Sequence, residues 1–228
     1  MYSVIIPAAG TGSRMGLGHN KLFYKVLEHT IIEHTVNKFA IDQKCKQIIL
    51  TVNIADLEKM KEIFANHPAV EVVIGGKTRQ ESIYNALEWV TEEIVLVHDG
   101  ARPFVSANMI DACYDVANKG LGAVAAVLPK DTIKQRHSSR ADVINRTIAR
   151  DELVAVQTPQ AFPTAVLKRA NELAKNVHAL NEATDDASLV EKYTEIDVKI
   201  VDGDYRNIKF TTPEDIAYFE FLVKKERF

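Results

Sequence analysis

The segment SVIIPAAGTGSRM, residues 3–15, decides the fold of this chain. Residues 3–7 form a short apolar run rich in β-branched side chains, and a glycine-containing turn follows at once, as after a buried strand. The turn places consecutive backbone N–H groups at the carboxyl end of that strand, where glycine lets the backbone approach a ligand. Such a nest of N–H groups binds phosphate oxygens, so the segment predicts a nucleotide-binding α/β sheet.

The rest of the chain alternates in the same way between strands and helices. Further strands are predicted at residues 47–52, 70–74, 94–98, 122–128 and 196–201, and amphipathic helices at residues 31–39, 55–65, 80–90 and 107–117. This alternation predicts a mostly parallel, twisted sheet with helices on both faces. We therefore expect a Rossmann-like three-layer α/β/α fold, formed as a single domain by residues 1–228.

The composition limits the possible partners. A net charge of −3 gives no general attraction for nucleic acid or anionic lipid. No apolar run is long enough to span a bilayer, and the N-terminus does not have the pattern of a signal peptide. Cys45 and Cys113 lie far apart without metal-ligand spacing, which is typical of a reduced protein. We expect a cytoplasmic location, with neither nucleic acid nor membrane as partner.

Residues 130–152 interrupt the alternation with a polar, basic stretch. We predict an extended β-arm that protrudes from the domain. A polar arm cannot build a core of its own, so one hypothesis is that a partner subunit holds it; the other is a solvated surface hairpin. Its basic side chains are those of Lys130, Lys134, Arg136, Arg140, Arg146 and Arg150.

Two cations follow the glycine turn. Arg14 and Lys21 can supply full charges for a triphosphate and for charge that develops during group transfer. A dinucleotide-binding G-x-G-x-x-G pattern would need glycine where Met15 stands, and a Walker P-loop pattern is absent. The segment therefore predicts a nucleoside triphosphate site, with a glycine-rich dinucleotide turn as the alternative.

The motif HDGARP, residues 98–103, ends another predicted strand. In a parallel sheet Asp99 would lie on the same edge as the glycine turn, where ligands bind. A carboxylate there suits Mg²⁺, which uses one or two carboxylates together with phosphates and water. Arg102 can hold an acceptor phosphate. The alternative is a helix-capping Asp99 and a surface Arg102.

The motif GGKTRQES, residues 75–82, places paired glycines after a third strand, which again allows close approach of the backbone. Ser82, on the first turn of the next helix, is a candidate to hydrogen-bond a base or a ribose. The same residues fit a helix start in which Thr78 caps and Glu81 completes a capping box. Both interpretations can hold together.

The motif NIKFTTPED, residues 207–215, combines a helix start with a cation. Thr212 as N-cap, Pro213 at the first position and acidic residues behind it predict a helix. Lys209, just before that helix, is a candidate for an additional phosphate clamp.

Seven motifs between residues 8 and 215 match one family in order. They are AAGTGSRMG with the lysine behind it, GGKTRQES, HDGARPF, KDTIK, TIARDELVAVQTPQAF, ATDDAS and NIKFTTPED. Together they resemble the 2-C-methyl-D-erythritol 4-phosphate cytidylyltransferases, which act at the third step of the non-mevalonate isoprenoid route. The resemblance implies a nucleotidyltransferase fold, transfer of CMP from CTP to the acceptor phosphate with release of pyrophosphate, and a homodimer whose β-arms embrace.

The resemblance also implies residue roles. The catalytic residues would be Arg14, Lys21, Arg150 and Lys209. The CTP contacts would be Ala8, Ala9, Gly10, Gly12, Gly76, Ser82, Asp99 and Gly100, with Mg²⁺ or another divalent cation at Asp99. The acceptor contacts would be Arg102, Thr132, Arg150, Thr158 and Lys209. Thr132 and Arg150 lie on the arm, so they would serve the neighbouring subunit.

Two positions depart from the family pattern. Many relatives have proline where this chain has Asn20, and losing that rigid φ predicts a more mobile loop before Lys21. Lys77 replaces a frequent acidic or small polar residue, which leaves the base and ribose contacts near Gly76 open.

Three other functions are compatible with parts of this pattern. A ribitol-5-phosphate cytidylyltransferase has much the same scaffold, but its relatives tend to read Ala-Val-Arg-Pro after His-Asp, where this chain has Gly100-Ala101-Arg102-Pro103. A non-catalytic nucleotide-binding regulatory domain would not need so many charged groups aimed at one phosphate. A dehydrogenase is disfavoured by Met15.

Overall fold

The computed structural model describes residues 1–10 and 20–226, without the side chains of residues 213, 214, 224 and 226. A seven-stranded sheet forms its centre. The strands of this sheet are β1 (Tyr2–Pro7), β4 (Cys45–Val52), β5 (Val70–Ile74), β6 (Ile94–Val97), β7 (Gly122–Val127), β10 (Ala155–Pro163) and β11 (Val198–Asp202). Two small antiparallel pairs accompany it, β2 (Lys25–Val26) with β3 (His29–Thr30), and β8 (Lys134–Arg136) with β9 (Ile144–Thr147).

The strand order is β11-β7-β10-β6-β1-β4-β5. Every neighbouring pair is parallel except the two that involve β10, which runs antiparallel to β6 and to β7. All six predicted strands are present. β10 was missed because its apolar pattern is interrupted by the polar stretch of residues 157–160, where the register with β7 also shifts.

Seven helices lie among the described residues. They are α1 (Ile31–Ala40), α2 (Leu57–Ile63), α3 (Arg79–Leu87), α4 (Ala107–Ala117), α5 (Thr164–Asn176), α6 (Asp186–Tyr193) and α7 (Pro213–Glu226). The four predicted amphipathic helices and the helix start at Pro213 are confirmed, whereas α5 and α6 were not predicted. None of the helices described combines the length and the apolar character that crossing a bilayer requires.

The core lies on both faces of the sheet. Alternate side chains of a strand point to opposite faces, so Val4 and Ile6 of β1 join one apolar cluster while Ile5 between them joins the other. The first cluster also takes residues from α1, α4 and α7, and the second takes residues from α3, α5 and α6. The predicted three-layer α/β/α arrangement is confirmed.

Strand direction brings the predicted motifs to one edge. β1, β5 and β6 share a direction, so the turns that follow them open at the same edge of the sheet. The antiparallel β10 reaches this edge from the other side, because Gln160 pairs with Val97 at the last position of β6. Thr158, two residues earlier in β10, therefore lies beside the turn that begins at Asp99.

The β-arm is a short hairpin outside the main sheet. Lys134 pairs with Thr147 and Gln135 with Arg146, and every residue of both strands is exposed. The hairpin lies within the stretch of residues 130–152 where the arm is expected, and its two strands have only three and four residues.

Candidate active site

A cleft of about 280 Å³ opens at the carboxyl edge of the parallel strands. Its walls come from the turns after β1, β5 and β6 and from the segment before α7. The predicted site residues that line it are Ala8, Ala9, Gly10, Lys21, Gly76, Ser82, Asp99, Gly100 and Lys209. Two predicted residues, Gly12 and Arg14, lie outside the described residues. The structure thus brings four separate motifs to one cavity.

The N–H of Ala8 is not available to the predicted phosphate nest. It donates to the carbonyl of Thr51 at 2.8 Å and so prolongs the pairing of β1 with β4. Ala8 therefore lines the cleft without offering a backbone donor to it. Ala9 and Gly10 also line the cleft, and a Cβ built on Gly10 would meet no atom of the described residues within 4 Å. The nest itself stays a prediction.

The side chain of Asn20 is anchored by hydrogen bonds. Its φ is −61°, close to the value that a proline ring imposes. Its Nδ2 donates to the carbonyl of Ala8 at 2.8 Å and to the Asp56 carboxylate at 2.9 Å. Its Oδ1 accepts from the N–H of Leu22 at 3.1 Å. The more mobile loop expected before Lys21 stays a prediction, because residues 11–19 lie outside the described residues.

Asp99 is surrounded by three cations. Its Oδ2 lies 3.0 Å from Nζ of Lys209 and 3.2 Å from Nε of Arg102. Its Oδ1 lies 3.6 Å from Nε of Arg79. Burial opposes ionisation of this carboxyl, but Lys209, Arg79 and Arg102 outweigh it and hold the pKa of Asp99 below its ordinary value. The residue is therefore a carboxylate, and three positive groups converge on it.

Thr158 is tied to this turn through a buried histidine. Nε2 of His98 lies 2.9 Å from the carbonyl of Arg102, which can only accept, so Nε2 carries the proton. The other ring nitrogen, Nδ1, then accepts from the Thr158 hydroxyl at 3.0 Å. That hydroxyl in turn accepts the N–H of Asp99 at 3.0 Å. Burial lowers the pKa of His98 to about 4, so the ring is neutral near pH 7.

The segment before α7 is docked onto the same turn. The carbonyl of Asn207 accepts from Nη1 of Arg102 at 2.7 Å, and the N–H of Phe210 donates to the carbonyl of Ala101 at 2.9 Å. The side chain of Asn207, which is fully buried, donates to the carbonyl of Thr158 at 2.8 Å. The contacts of Asn207 and Phe210 hold the backbone on both sides of Lys209, and Lys209 itself lines the cleft.

Lys21 reaches across the cleft to that segment. Its Nζ donates to the carbonyl of Phe210, the residue next to Lys209. Two lysines that are far apart in sequence therefore line one cleft, Lys21 bound to the carbonyl of Phe210 and Lys209 to Asp99.

The glycine pair after β5 is shaped by Ser82. The Ser82 hydroxyl accepts the N–H of Gly76 at 3.0 Å and donates to the carbonyl of Thr78 at 2.8 Å. A Cβ on Gly76 would overlap the Cβ of Glu81, so only glycine fits there. Ser82 lines the cleft and holds the loop that forms one wall of it.

Thr78 caps α3 as predicted. Its hydroxyl accepts the N–H of Glu81 at 3.1 Å. The Glu81 carboxylate reaches one residue further back than a capping box requires, to the N–H of Lys77 at 2.8 Å.

Arg79 is a site residue that the sequence reading missed. It lines the cleft and pairs with Asp99, and on its far side Nη2 donates to the Asp186 carboxylate at 2.8 Å. The GGKTRQES motif contained it, but nothing in that spacing shows which charges of the folded chain would face it.

The arm residues stand apart from the cleft. Thr132 and Arg150 are exposed and do not line it. The guanidinium of Arg150 donates to the carbonyl of Lys130 at 2.9 Å, across the base of the β-arm. One chain therefore does not bring them to the other predicted acceptor residues.

The carboxylate of Asp99 is also a suitable ligand for a divalent cation. No group of three His, Cys, Asp or Glu side chains within residues 1–10 and 20–226 could hold a metal. A single carboxylate fits Mg²⁺ when phosphates and water complete the coordination. The donor set at Asp99 is thus compatible with a metal that arrives together with a triphosphate.

Known proteins share both the sequence and the fold. The profile of the 2-C-methyl-D-erythritol 4-phosphate cytidylyltransferase family matches residues 2–225. The chain belongs to this family. A protein of that name from Bacillus velezensis is 44% identical over 229 residues, covering 99% of this chain and 97% of its own. One from Bacillus cytotoxicus is 45% identical over 231 residues, with 100% of both chains covered.

Solved structures of this family have the same fold. The 4-diphosphocytidyl-2C-methyl-D-erythritol synthase of Anaerococcus prevotii superposes with a TM-score of 0.86 at 29% identity, covering 98% of this chain and 96% of its own. The cytidylyltransferase of Thermus thermophilus gives 0.76 at 31% identity, covering 97% and 98%. The family and the fold expected from the seven motifs are confirmed.

The anchoring of Asn20 is testable by two substitutions. Asn20→Ala removes three side-chain hydrogen bonds and should lower the free energy of unfolding by about 1–3 kcal/mol. Asn20→Pro loses the same bonds but fixes φ near its present value, so it should cost less than Asn20→Ala. Urea unfolding measures both, with the exposed Asn108→Ala as control, expected within about 0.5 kcal/mol of wild type. Equal losses for the two Asn20 variants would contradict this account.

The neutral His98 ring predicts a pH dependence of stability. Its pKa is about 4 in the folded chain against an ordinary 6.5, so below about pH 6.5 the unfolded chain takes up a proton that the folded chain refuses. The free energy of unfolding should therefore fall as the pH drops from about 6.5 to about 4, by up to about 3 kcal/mol from this group. His98→Gln should lack that component in urea unfolding across this range. Parallel pH curves for the two proteins would refute the buried neutral ring.

Proposed function

We propose that this chain transfers CMP from CTP to 2-C-methyl-D-erythritol 4-phosphate, releasing pyrophosphate and forming 4-diphosphocytidyl-2-C-methyl-D-erythritol. Membership of the family and relatives of that name over the whole chain support the activity. The observation that carries it in the structure is that Lys21, Lys209 and Asp99 line one cleft, with Lys209 paired to Asp99. This supports a site in which cations from both walls surround a reacting phosphate.

The nucleotide belongs to the wall formed by β1 and β5. Ala9, Gly10 and Lys21 line this side of the cleft, and the backbone N–H groups of the first two would bind phosphate oxygens. The loop at Gly76, held by Ser82, is a narrow wall suited to a planar base or a ribose. We assign the CTP contacts to these residues.

The acceptor phosphate belongs to the opposite side. Arg102 and Lys209 both pair with Asp99, and they are the groups that an arriving phosphate dianion can attract. An oxygen of that phosphate would attack the α-phosphorus of CTP in line with the pyrophosphate leaving group. A phosphate monoester dianion needs no general base, so positioning and cationic stabilisation supply most of the acceleration.

We assign a Mg²⁺ ion, or another divalent cation, to Asp99. The support is the single ionised carboxylate at the edge where triphosphate would bind. Such an ion would neutralise phosphate charge when it is bound. Lys209 and Arg102 occupy the same carboxylate, so their movement toward the acceptor would free oxygen ligands.

We also propose a homodimer joined through the β-arm. Exposed apolar side chains on the arm and at its base support this, because a solvated hairpin has no need of them. They are Ile133, Ile144, Val154 and Val156. In such a dimer Thr132 and Arg150 of one subunit would complete the acceptor site of the other. The free Cys45 and Cys113 are consistent with the cytoplasmic location that we propose.

The activity is tested by pyrophosphate release from CTP. We expect turnover with 2-C-methyl-D-erythritol 4-phosphate and Mg²⁺, and much slower turnover with ribitol 5-phosphate in a parallel reaction. Preference for ribitol 5-phosphate would establish the alternative cytidylyltransferase. CTP binding without turnover on either acceptor would establish a regulatory domain.

Removing the amine of Lys21 should affect chemistry and leave the fold intact. Lys21→Ala is expected to lower kcat by about 10²–10³, as loss of a preorganised group that stabilises developing charge does. Circular dichroism and the melting temperature check the fold, and the exposed Lys25→Ala is the matched control. Near-normal turnover of Lys21→Ala would remove this residue from the catalytic machinery.

A further inference from the structure

Arg79 differs from the other cations at Asp99 in how it is held. Its Nη2 donates to Asp186 at 2.8 Å and its Nη1 to Oε1 of Gln80 at 3.1 Å. Both terminal nitrogens are therefore bound away from the cleft, and Nε is left facing Asp99 at 3.6 Å. The guanidinium is fixed by partners that no substrate replaces.

The anchor itself is rigid. Asp186 is fully buried at the start of α6, and its N–H donates to Oε1 of Gln160 on β10 at 3.1 Å. Nε2 of Gln160 also donates to the Asp185 carboxylate at 2.7 Å. The first turn of α6 is thus fastened to the central sheet, and Arg79 is fastened to that turn.

Lys209 is less constrained. Its side chain is 38% exposed, against 26% for Arg79, and lies on a flexible stem. Arg102, in contrast, is only 13% exposed, with Nη1 on the carbonyl of Asn207 and Nε on Asp99. Substrate phosphates can therefore compete with Asp99 for Lys209.

We infer that Arg79, braced by Asp186, is the positioning residue that keeps Asp99 in place and charge-balanced while Lys209 turns to the acceptor phosphate. The inference rests on the proposed cytidylyl transfer. Without Arg79, Asp99 would hold Lys209 and Arg102 more tightly and would also repel the incoming phosphate. Arg79 therefore acts on acceptor binding through Asp99, with no contact to the acceptor.

The difficulty for a test is that Arg79 also neutralises a buried carboxylate. Arg79→Gln alone would leave Asp186 buried and unpaired, which destabilises a fold. The double variant Arg79→Gln with Asp186→Asn removes both charges and keeps similar shapes. If Arg79 only neutralises Asp186, this variant should behave like wild type, because neither charge is left unpaired. If Arg79 positions Asp99, the variant should still lose that effect.

We expect the double variant to keep a melting temperature near that of wild type. Its KM for 2-C-methyl-D-erythritol 4-phosphate should rise by about tenfold, which corresponds to the loss of one charge-assisted hydrogen bond. The changes in kcat and in the KM for CTP should be smaller. Calorimetric binding of the same acceptor should weaken by a similar factor. The matched control is Lys199→Gln with Asp197→Asn, an exposed ion pair removed in the same way.

The outcomes separate the explanations. Wild-type acceptor affinity in the double variant would show that Arg79 only neutralises Asp186. A raised KM for CTP with unchanged acceptor binding would show that Arg79 is a nucleotide ligand. Either result overturns the inference. If the double variant does not fold, Asp186→Ala alone removes the acceptor that holds Nη2 of Arg79, and unchanged acceptor affinity there overturns the inference equally. Absence of turnover in wild type would refute the proposed function, while the calorimetric comparison still decides the role of Arg79.

Discussion

One buried negative charge organises this structure. Asp99 stands at the end of β6 with 8% of its surface exposed, and a carboxylate in such a place is stable only when cations pair with it. Those cations come from Arg79 at the start of α3, Arg102 in the turn after β6 and Lys209 before α7. Three distant segments are therefore drawn to one point, and they form walls of the cleft.

The same charge prepares the cleft for phosphates. Several cations placed close together repel one another, and Asp99 holds them near the position where substrate charge would arrive. The neutral His98 contributes by fixing the Thr158 hydroxyl on the N–H of Asp99, which sets the turn without adding a further charge. The contacts that hold the turn at the carboxyl edge of the sheet are thus the same contacts that arrange the charged groups of the cleft.

Sequence patterns located the residues that follow strands but missed β10, and Thr158 on that strand was named only through the family resemblance. The periodicity of apolar residues and the glycine turns predict where strands end, and the carboxyl ends of parallel strands lie at the same edge of a sheet. Gly10, Gly76 and Asp99 could therefore be placed together from the sequence. β10 escaped because Gln157 and Gln160 interrupt its apolar pattern. Those glutamines are buried because they hydrogen-bond segments far along the chain, to Asp204 and to the start of α6. Such partners have no local signature.

The sequence by itself determined the α/β class, the family and the residue types at the edge of the sheet, because alternation and motif order are local properties of the chain. The tertiary structure alone decided which charges meet. Asp186 stands 107 positions from Arg79, and only the packing of α6 on β10 brings them to 2.8 Å. It also decided how Asn20 is anchored, since the carbonyl of Ala8 and the carboxylate of Asp56 converge on its side chain. Pairing of charges depends on distances in space, and those exist only after the sheet has formed.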